Sequence, residues 1–402
     1  MTGLANQVIA CCRRLAEFSE EPGRTTRTFL SPPMRDVHRV LREWMEALSM
    51  RVRVDDAGNL HGLHGRSAKR LIIGSHLDTV PNAGAFDGVL GVVLGIALVE
   101  ALGDRCPGVL VEVIGFSEEE GVKFGTPFIG SKALAGTLTD DILDHGVRET
   151  IREFGLQPED IPAARLSPEA VAYLEFHIEQ GPVLESLDLP LGVVDAIAGQ
   201  SRLMFTFTGG ANHAGTTPML LRHDALTAAA EWIGRVEAYA TGVRGLVATV
   251  GRIDVAPNAT NVIPGRVQVS LDVRHASDDL RRAAITALRR AAMEIGARRG
   301  ITVEHEQRLG QPAVAMDAAL SGVLARSVEA AGHPVHHMIS GAGHDAMILA
   351  PCLPTAMLFL RSPGGISHHP DENVIVSDVA AALEAGVNFV RLLEQTLEAT
   401  LV

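Results

Sequence analysis

Between Leu71 and Phe116 the chain alternates short and long apolar runs, RLIIGSH, then GVLGVVLGIALVEAL, then VLVEVIGF. Seven or eight apolar residues suit a buried strand and fifteen suit a helix, so the pattern predicts strand, helix, strand in a largely parallel sheet with helices on its faces. Such sheets collect ligands at the carboxyl ends of their strands. The stretches SHLD and SEEEG both stand at those ends, hence on one rim. From Gly199 to Val314 the rhythm changes. SRLMFTFTG alternates, DALTAAAEWIGRVEAYA is helical, GLVATVGRIDV and RVQVSLDVRH alternate, DDLRRAAITALRRAAMEIG is helical and ITVEHEQRL alternates again. That βαββαβ order is the split βαβ plan of a small ferredoxin-like α+β unit. AMLFL at 356 to 360 reads as another buried strand of the first kind. The predicted organisation is therefore one α/β domain, 1–198 with 315–402, interrupted by an inserted domain at 199–314.

Length and composition narrow the class. A chain of 402 residues is too long for one ordinary domain, and its 47% hydrophobic content is that of a folded protein. The longest strongly apolar stretch, Val89 to Val99, falls short of the roughly 18 residues a membrane span needs, so no membrane partner is expected. The opening MTGLANQVIACCRRLAEF predicts an amphipathic helix, because Arg13 and Arg14 interrupt it before a signal-peptide core could form. Four cysteines without a C-x-x-C pair predict buried thiols in a reducing, cytoplasmic setting. A formal charge of -13 without a basic block disfavours nucleic acid as a partner, and none is expected.

The candidate chemistry begins at SEEEG, where three consecutive glutamates end an apolar strand. An acidic triplet is ordinarily a solvated turn; at the end of a buried strand it needs a cation or a proton-transfer task. His76 follows a β run, and Asp78 two residues on is placed to orient the imidazole by accepting its second N–H. Asp87 lies in GAFDGVLG ahead of a long helix, His177 in EFHIEQGPVLE and His368 in GGISHHPDE. With Glu119 and Glu120 these are imidazole and hard oxygen donors of the kind borderline divalent ions accept. Such a set suits two metals sharing one carboxylate, which is a hydrolytic design.

GSHLDTVPNAGAFDGVLG, SEEEG, HIEQGPVLE, HAGTTPM, NVIPG, SGAGHDA and GISHHPDE, in that order, resemble the successive motifs of the dinuclear metallopeptidase-like M20 family. Within it they resemble the amidohydrolase branch of allantoate amidohydrolases, N-carbamoyl-L-amino acid hydrolases and β-ureidopropionases. The resemblance implies two divalent ions per subunit, zinc, manganese, cobalt or nickel. It implies His76 and His177 on one ion, Glu120 and His368 on the other, Asp87 bridging, and Glu119 as the general base that takes the proton of the attacking water. Glu118 would support them, and His369 has the weaker claim on a metal. Peptidase relatives usually carry a carboxylate at the place of His177, which favours the ureido-hydrolysing branch. His213 would stabilise the oxyanion, Asn261 and Arg274 would hold a substrate carboxylate, and Gln180, Gly341 and Gly343 would add substrate contacts. The roles of His344 and Asp345 stay open. The expected substrate is a small ureido or carbamoyl carboxylic acid, allantoate first and an N-carbamoyl-L-amino acid or N-carbamoyl-β-alanine second, ahead of an aminoacylase, a dipeptidase or an inactive binding homologue. The inserted domain would be a lid and dimerisation domain, giving a homodimer with composite active sites.

Overall fold

The protein is described by a computed structural model covering residues 1–103, 108–144 and 146–399. The chain forms two compact units, one from Met1–Asp195 and the chain from Met316 onward, the other from Ala196–Ala315.

In the first unit β1 (Arg51–Val54), β2 (Leu60–His64), β3 (Arg70–His76), β4 (Leu110–Phe116), β5 (Ala170–Ile178), β6 (Leu191–Ile197) and the Thr355–Leu360 strand form one sheet, in the order β1-β2-β4-β3-β5, then Thr355–Leu360, then β6. The pairs β4 with β3, β3 with β5 and β5 with Thr355–Leu360 are parallel; β1, β2 and β6 join antiparallel. β4 and Thr355–Leu360 are buried throughout, which is why their sequences are largely apolar with no alternation; the one charge in them, Glu112, is paired with His61 and Arg70. Of the helices α1 (Thr2–Ala16), α2 (Pro32–Ala47) and α3 (Val89–Leu102), α3 is apolar on every face and buried on nearly every residue, packing on the sheet and beneath α1. No helix among the described residues is long and apolar enough to cross a membrane.

In the second unit the Gly199–Thr208, Ile253–Ala256, Arg266–His275 and Thr302–Gln311 strands make an antiparallel sheet with Arg266–His275 and Gly199–Thr208 at its centre. The order matches the split βαβ plan. Along Arg266–His275 burial alternates residue by residue, as its sequence does. The helices Ala225–Thr241 and Asp278–Arg299 pack on this sheet around Trp232, whose ring lies 4.3 Å from Phe205 and whose indole N–H donates to the Leu288 carbonyl. Fully burying side chains of this size is worth about 1.5–3 kcal/mol each. Both helices are capped by the residue the pattern offers: Asp224 accepts from Leu226 N and Thr227 N, Ser277 from Leu280 N.

Two expectations need correction. GLVATVGRIDV is not one strand but two, Val247–Thr249 and Ile253–Ala256; Arg252 N instead donates to the Ser270 hydroxyl, and the ladder breaks between them. Among the described residues the cysteines are free thiols, but not uniformly buried: Cys12 is buried, Cys11 partly so, and Cys352, in the turn before the Thr355–Leu360 strand, is exposed. Cys106 lies outside the described residues.

Candidate metal centre

Parallel register brings the candidate ligands to one rim. His76 ends β3 opposite Phe116, which ends β4, so the turn carrying Glu118, Glu119 and Glu120 leaves the sheet beside it. His177 is the penultimate residue of β5, paired with Phe359, and the Thr355–Leu360 strand then leads to the loop of His368. Asp87 stands two residues before α3. The His76 and His177 rings are 5.7 Å apart.

Asp87 is the common partner. Its Oδ1 lies 3.3 Å from His177 Nε2 and 3.9 Å from His76 Nε2, its Oδ2 3.1 Å from His368 Nε2, and His368 Nε2 is 3.6 Å from Glu120 Oε1. Two donors each about 2.1 Å from one tetrahedral ion are about 3.4 Å apart, so these spacings are those of ligand atoms sharing an ion. His76, Asp87 and His177 can converge on one cation, and Asp87, Glu120 and His368 on another, with one carboxylate oxygen of Asp87 turned to each side.

The donor chemistry fits a metal better than it fits hydrogen bonding. His177 Nδ1–H donates to the Ile178 carbonyl at 2.9 Å, and burial pushes the imidazole pKa down to about 4. The ring is therefore neutral, and its buried Nε2 has no hydrogen-bond partner among the described residues. A lone pair facing a carboxylate at 3.3 Å repels it unless a cation lies between. Around His76 burial opposes a positive charge, yet Glu119, Asp78, Asp87 and Glu120 together raise its pKa well above the ordinary value; the pocket demands positive charge there. Burial would raise Asp87, and the hydrogen bond and charge of His368, with the charge of His76, hold it well down instead. Burial pushes Glu119 far up and Glu120 to about 7, each opposed by His76. Divalent charge inverts such penalties.

The backbone is held in costly shapes here. Glu118, Gln180 and His368 have φ of 52°, 58° and 55°, a left-handed conformation that costs a residue with a side chain about 1–3 kcal/mol unless its surroundings enforce it.

Asp78 does not do what its spacing suggests. His76 Nδ1 is 3.0 Å from the Asp78 backbone carbonyl and 3.7 Å from its carboxylate, so the main chain orients the ring. The carboxylate turns away to accept from Glu119 N at 2.9 Å and Glu120 N at 3.0 Å, pinning the acidic turn. Gln180 donates from Nε2 to both oxygens of Asp87 at 3.1 and 3.2 Å. Gly341 and Gly343 lie after the His337–Ser340 strand, in a turn that ends on His344, whose ring packs 4.4 Å from that of His177. Asp345 is buried with neither carboxylate oxygen hydrogen-bonded among the described residues. The His369 ring faces Asp371, 3.5 Å from its carboxylate. Two supports went unread in the sequence. Glu372 accepts from Phe86 N and Asp87 N, fixing the Asp87 loop, and Glu175 accepts from Ser75, Tyr173 and Ala346 N behind the histidines. The glutamate closing GISHHPDE was the available signal for the first; nothing in the sequence marks the second.

In the second unit His213 and Asn261 come together. Asn212–His213 pairs with Val262–Ile263, and the Asn261 carbonyl accepts from Ala214 N. His213 is exposed, and its Nδ1 accepts from Gly215 N and Thr216 N at 3.0 and 3.2 Å. A neutral ring so held carries its proton on Nε2 and offers a donor to solvent. Arg274 is on a different sheet of the unit, half-buried, its fork engaged by Asp272 at 2.9 and 3.1 Å.

The sequence model of peptidase family M20/M25/M40 matches residues 72–392. The chain is 38% identical to allantoate deiminase 1 of Glycine max, over 96% of this chain and 89% of that one. It is 37% identical to the N-carbamoyl-L-amino acid amidohydrolase of Geobacillus stearothermophilus, over 92% and 94%. The crystal structure of an amidase of the hydantoinase/carbamoylase family from Burkholderia multivorans superposes with a TM-score of 0.88 at 31% identity, over 96% of this chain and 97% of that one.

Proposed function

The chain belongs to peptidase family M20/M25/M40, and from that footing we propose that it is a two-metal amidohydrolase cleaving the ureido group of a small carboxylic acid. Allantoate is the substrate we place first: allantoate and water give ureidoglycine, ammonia and carbon dioxide. N-carbamoyl-L-amino acids and N-carbamoyl-β-alanine come second, supported by the 37% identical carbamoylase relative. The observation that carries the reading is the neutral His177 Nε2 facing the Asp87 carboxylate at 3.3 Å.

His76 and His177 would hold one ion, Glu120 and His368 the other, and Asp87 both. Divalent ions bound there supply Lewis acidity, which makes water nucleophilic and a ureido carbonyl electrophilic near neutral pH. Glu119 is the proton acceptor: it is not needed as a ligand, and its backbone is fixed by Asp78. Gln180 orients the Asp87 carboxylate by donating to both of its oxygens. His213 donates from Nε2 to the developing oxyanion, and Arg274, whose Nε and Nη2 are held by Asp272, contributes its positive charge toward the substrate carboxylate. Homodimerisation through the second unit is part of the proposal; the exposed side chains of Met219, Leu220, Leu221 and Val247 support an apolar surface that a second copy would cover. The free thiols support a reducing compartment such as the cytoplasm.

Ammonia release from allantoate, N-carbamoyl-L-amino acids, N-carbamoyl-β-alanine and ureidoglycolate, measured beside metal content, tests the reading. Glu119→Gln is expected to lower turnover by about two orders of magnitude or more while keeping wild-type metal content. His177→Ala is expected to lose metal. An undiminished rate in Glu119→Gln would remove Glu119 as the base.

A further inference from the structure

Apart from the metal centre, a buried run of polar groups occupies the loop before β2 and β2 itself. His61 is fully buried between two carboxylates, Nε2 2.9 Å from Asp55 Oδ2 and Nδ1 2.9 Å from Glu112 Oε1. Each acid is an acceptor, so both ring nitrogens carry protons. Asp55 in turn accepts from Asn59 N and Asn59 Nδ2, both at 2.9 Å. Asn59 is itself fully buried and spends its remaining capacity outside the cluster: Nδ2 donates to the Gly130 carbonyl at 3.2 Å, and Oδ1 accepts from Ser117 N at 3.1 Å. Ser117 is the first residue after β4, and its carbonyl accepts from Gly130 N at 2.9 Å. The next three residues are Glu118, Glu119 and Glu120.

We propose that Asn59, oriented by Asp55 and His61, is a positioning residue that fixes the exit of β4 and thereby aims Glu119 and Glu120. This rests on the reading of those two residues as proton acceptor and ion ligand. A purely stabilising role explains the cluster poorly, because well-packed apolar side chains of similar volume stabilise as much as buried charges or more. What apolar groups cannot do is accept the Ser117 N–H in one direction. The turn needs that constraint: Glu118 sits at φ 52°, a conformation that relaxes unless its flanks are held. Asn59 holds the upstream flank, and Asp78 holds the downstream one through Glu119 N and Glu120 N. The two pins come from different segments, so neither substitutes for the other.

Three readouts on Asn59→Ala test this: amide hydrogen exchange of the peptide spanning residues 117–121, the visible absorption spectrum of the cobalt-loaded protein, and kcat with KM. Val37→Ala, a core truncation in α2, serves as a control for lost stability. Exchange is expected to rise about tenfold or more, the cobalt bands to shift, and kcat to fall about tenfold with KM within about twofold, while the control changes none of these. Gly130→Ala strikes the same joint from the other side, since its Cβ would collide with Asn59 Oδ1 and come within 2.7 Å of Ser117 N; it is read in the same way should Asn59→Ala fail to fold. Unchanged exchange in these variants overturns the proposal, as do equal losses in Val37→Ala, or faster exchange with an unaltered spectrum and kcat. Wild-type protein that takes up no cobalt and hydrolyses nothing would instead sink the reading of Glu119 and Glu120, and the exchange measurement would still decide whether Asn59 pins the turn.

Discussion

His61 ties stability to pH in a way that can be measured. Burial opposes its charge, but hydrogen bonds to Asp55 and Glu112 override the penalty and raise its pKa above 6.5. That contribution is complete below about pH 6.5 and is lost as pH climbs through the raised value. Asp55 and Glu112 are also penalised by burial, yet hydrogen bonds from His61, with Asn59 helping Asp55 and Arg70 helping Glu112, hold both below their ordinary 3.8 and 4.5. Their contribution is complete above about pH 4.5 and is lost as pH falls through the lowered values. Arg53, 3.9 Å from Glu112, adds charge that does not titrate in this range. The difference in urea unfolding free energy between wild type and His61→Gln is therefore expected to peak between about pH 4.5 and 6.5 and shrink on either side. A difference flat with pH would mean that His61 is not an imidazolium. At this level the sequence was readable where a residue type has few uses: His76, Asp87, Glu120, His177 and His368 drew attention as donors, and they do converge. It was misleading at Asp78, because an aspartate two residues after a histidine could accept from the ring or from a backbone forty residues away. Only the folded chain shows that it does the second.

Strands and helices follow the hydrophobic pattern where one element is buried on all sides. β3, α3 and β4 were legible because their apolar runs differ in length, about seven residues in the strands and fourteen in the helix, and a buried element of each kind takes a run of its own length. The Val247–Ala256 segment was not, since its alternation runs on without interruption and the break comes from the Ser270 hydroxyl on a neighbouring strand. The closeness of α3 to the sheet was equally hidden. A methyl group at Gly91 would collide with the Phe176 carbonyl oxygen on β5 and lie 2.8 Å from Ser75 Cβ. Backbone cannot swing aside as a side chain can, so Gly91→Ala is expected to destabilise by about 1–3 kcal/mol despite alanine's better helix propensity. Gly95→Ala, whose methyl meets only the Val113 and Ile73 side chains at 3.0 and 3.1 Å, is expected to cost less in the same thermal or urea titration. Equal costs would mean that α3 can shift off the sheet as a body.

The proposed homodimer raises the question of which copy His213 serves. A His213→Ala chain keeps its metal ligands and a Glu119→Gln chain keeps His213, so if the protein is the proposed homodimer each variant alone is expected to be nearly inactive. If His213 acts on a second copy's ions, random exchange between the two variants makes half the dimers mixed, each with one intact site, and activity is expected to return to roughly 25% of wild type. No recovery after demonstrated subunit exchange would assign His213 to its own chain or to no catalytic role. The two-part division of the first unit has a further effect, on synthesis. The Thr355–Leu360 strand lies between β5 and β6 and supplies hydrogen-bond partners to both, yet it leaves the ribosome some 160 residues after them. Until then β5 and β6 present open edges, which are templates for pairing with the wrong chain. The contiguous Ala196–Ala315 unit has all its strands in hand about 40 residues earlier. The nascent protein thus passes through a stage with a finished insert and a split sheet, and its yield in a cell should respond to the speed of translation and to chaperones that shield exposed strand edges more than its final stability would suggest.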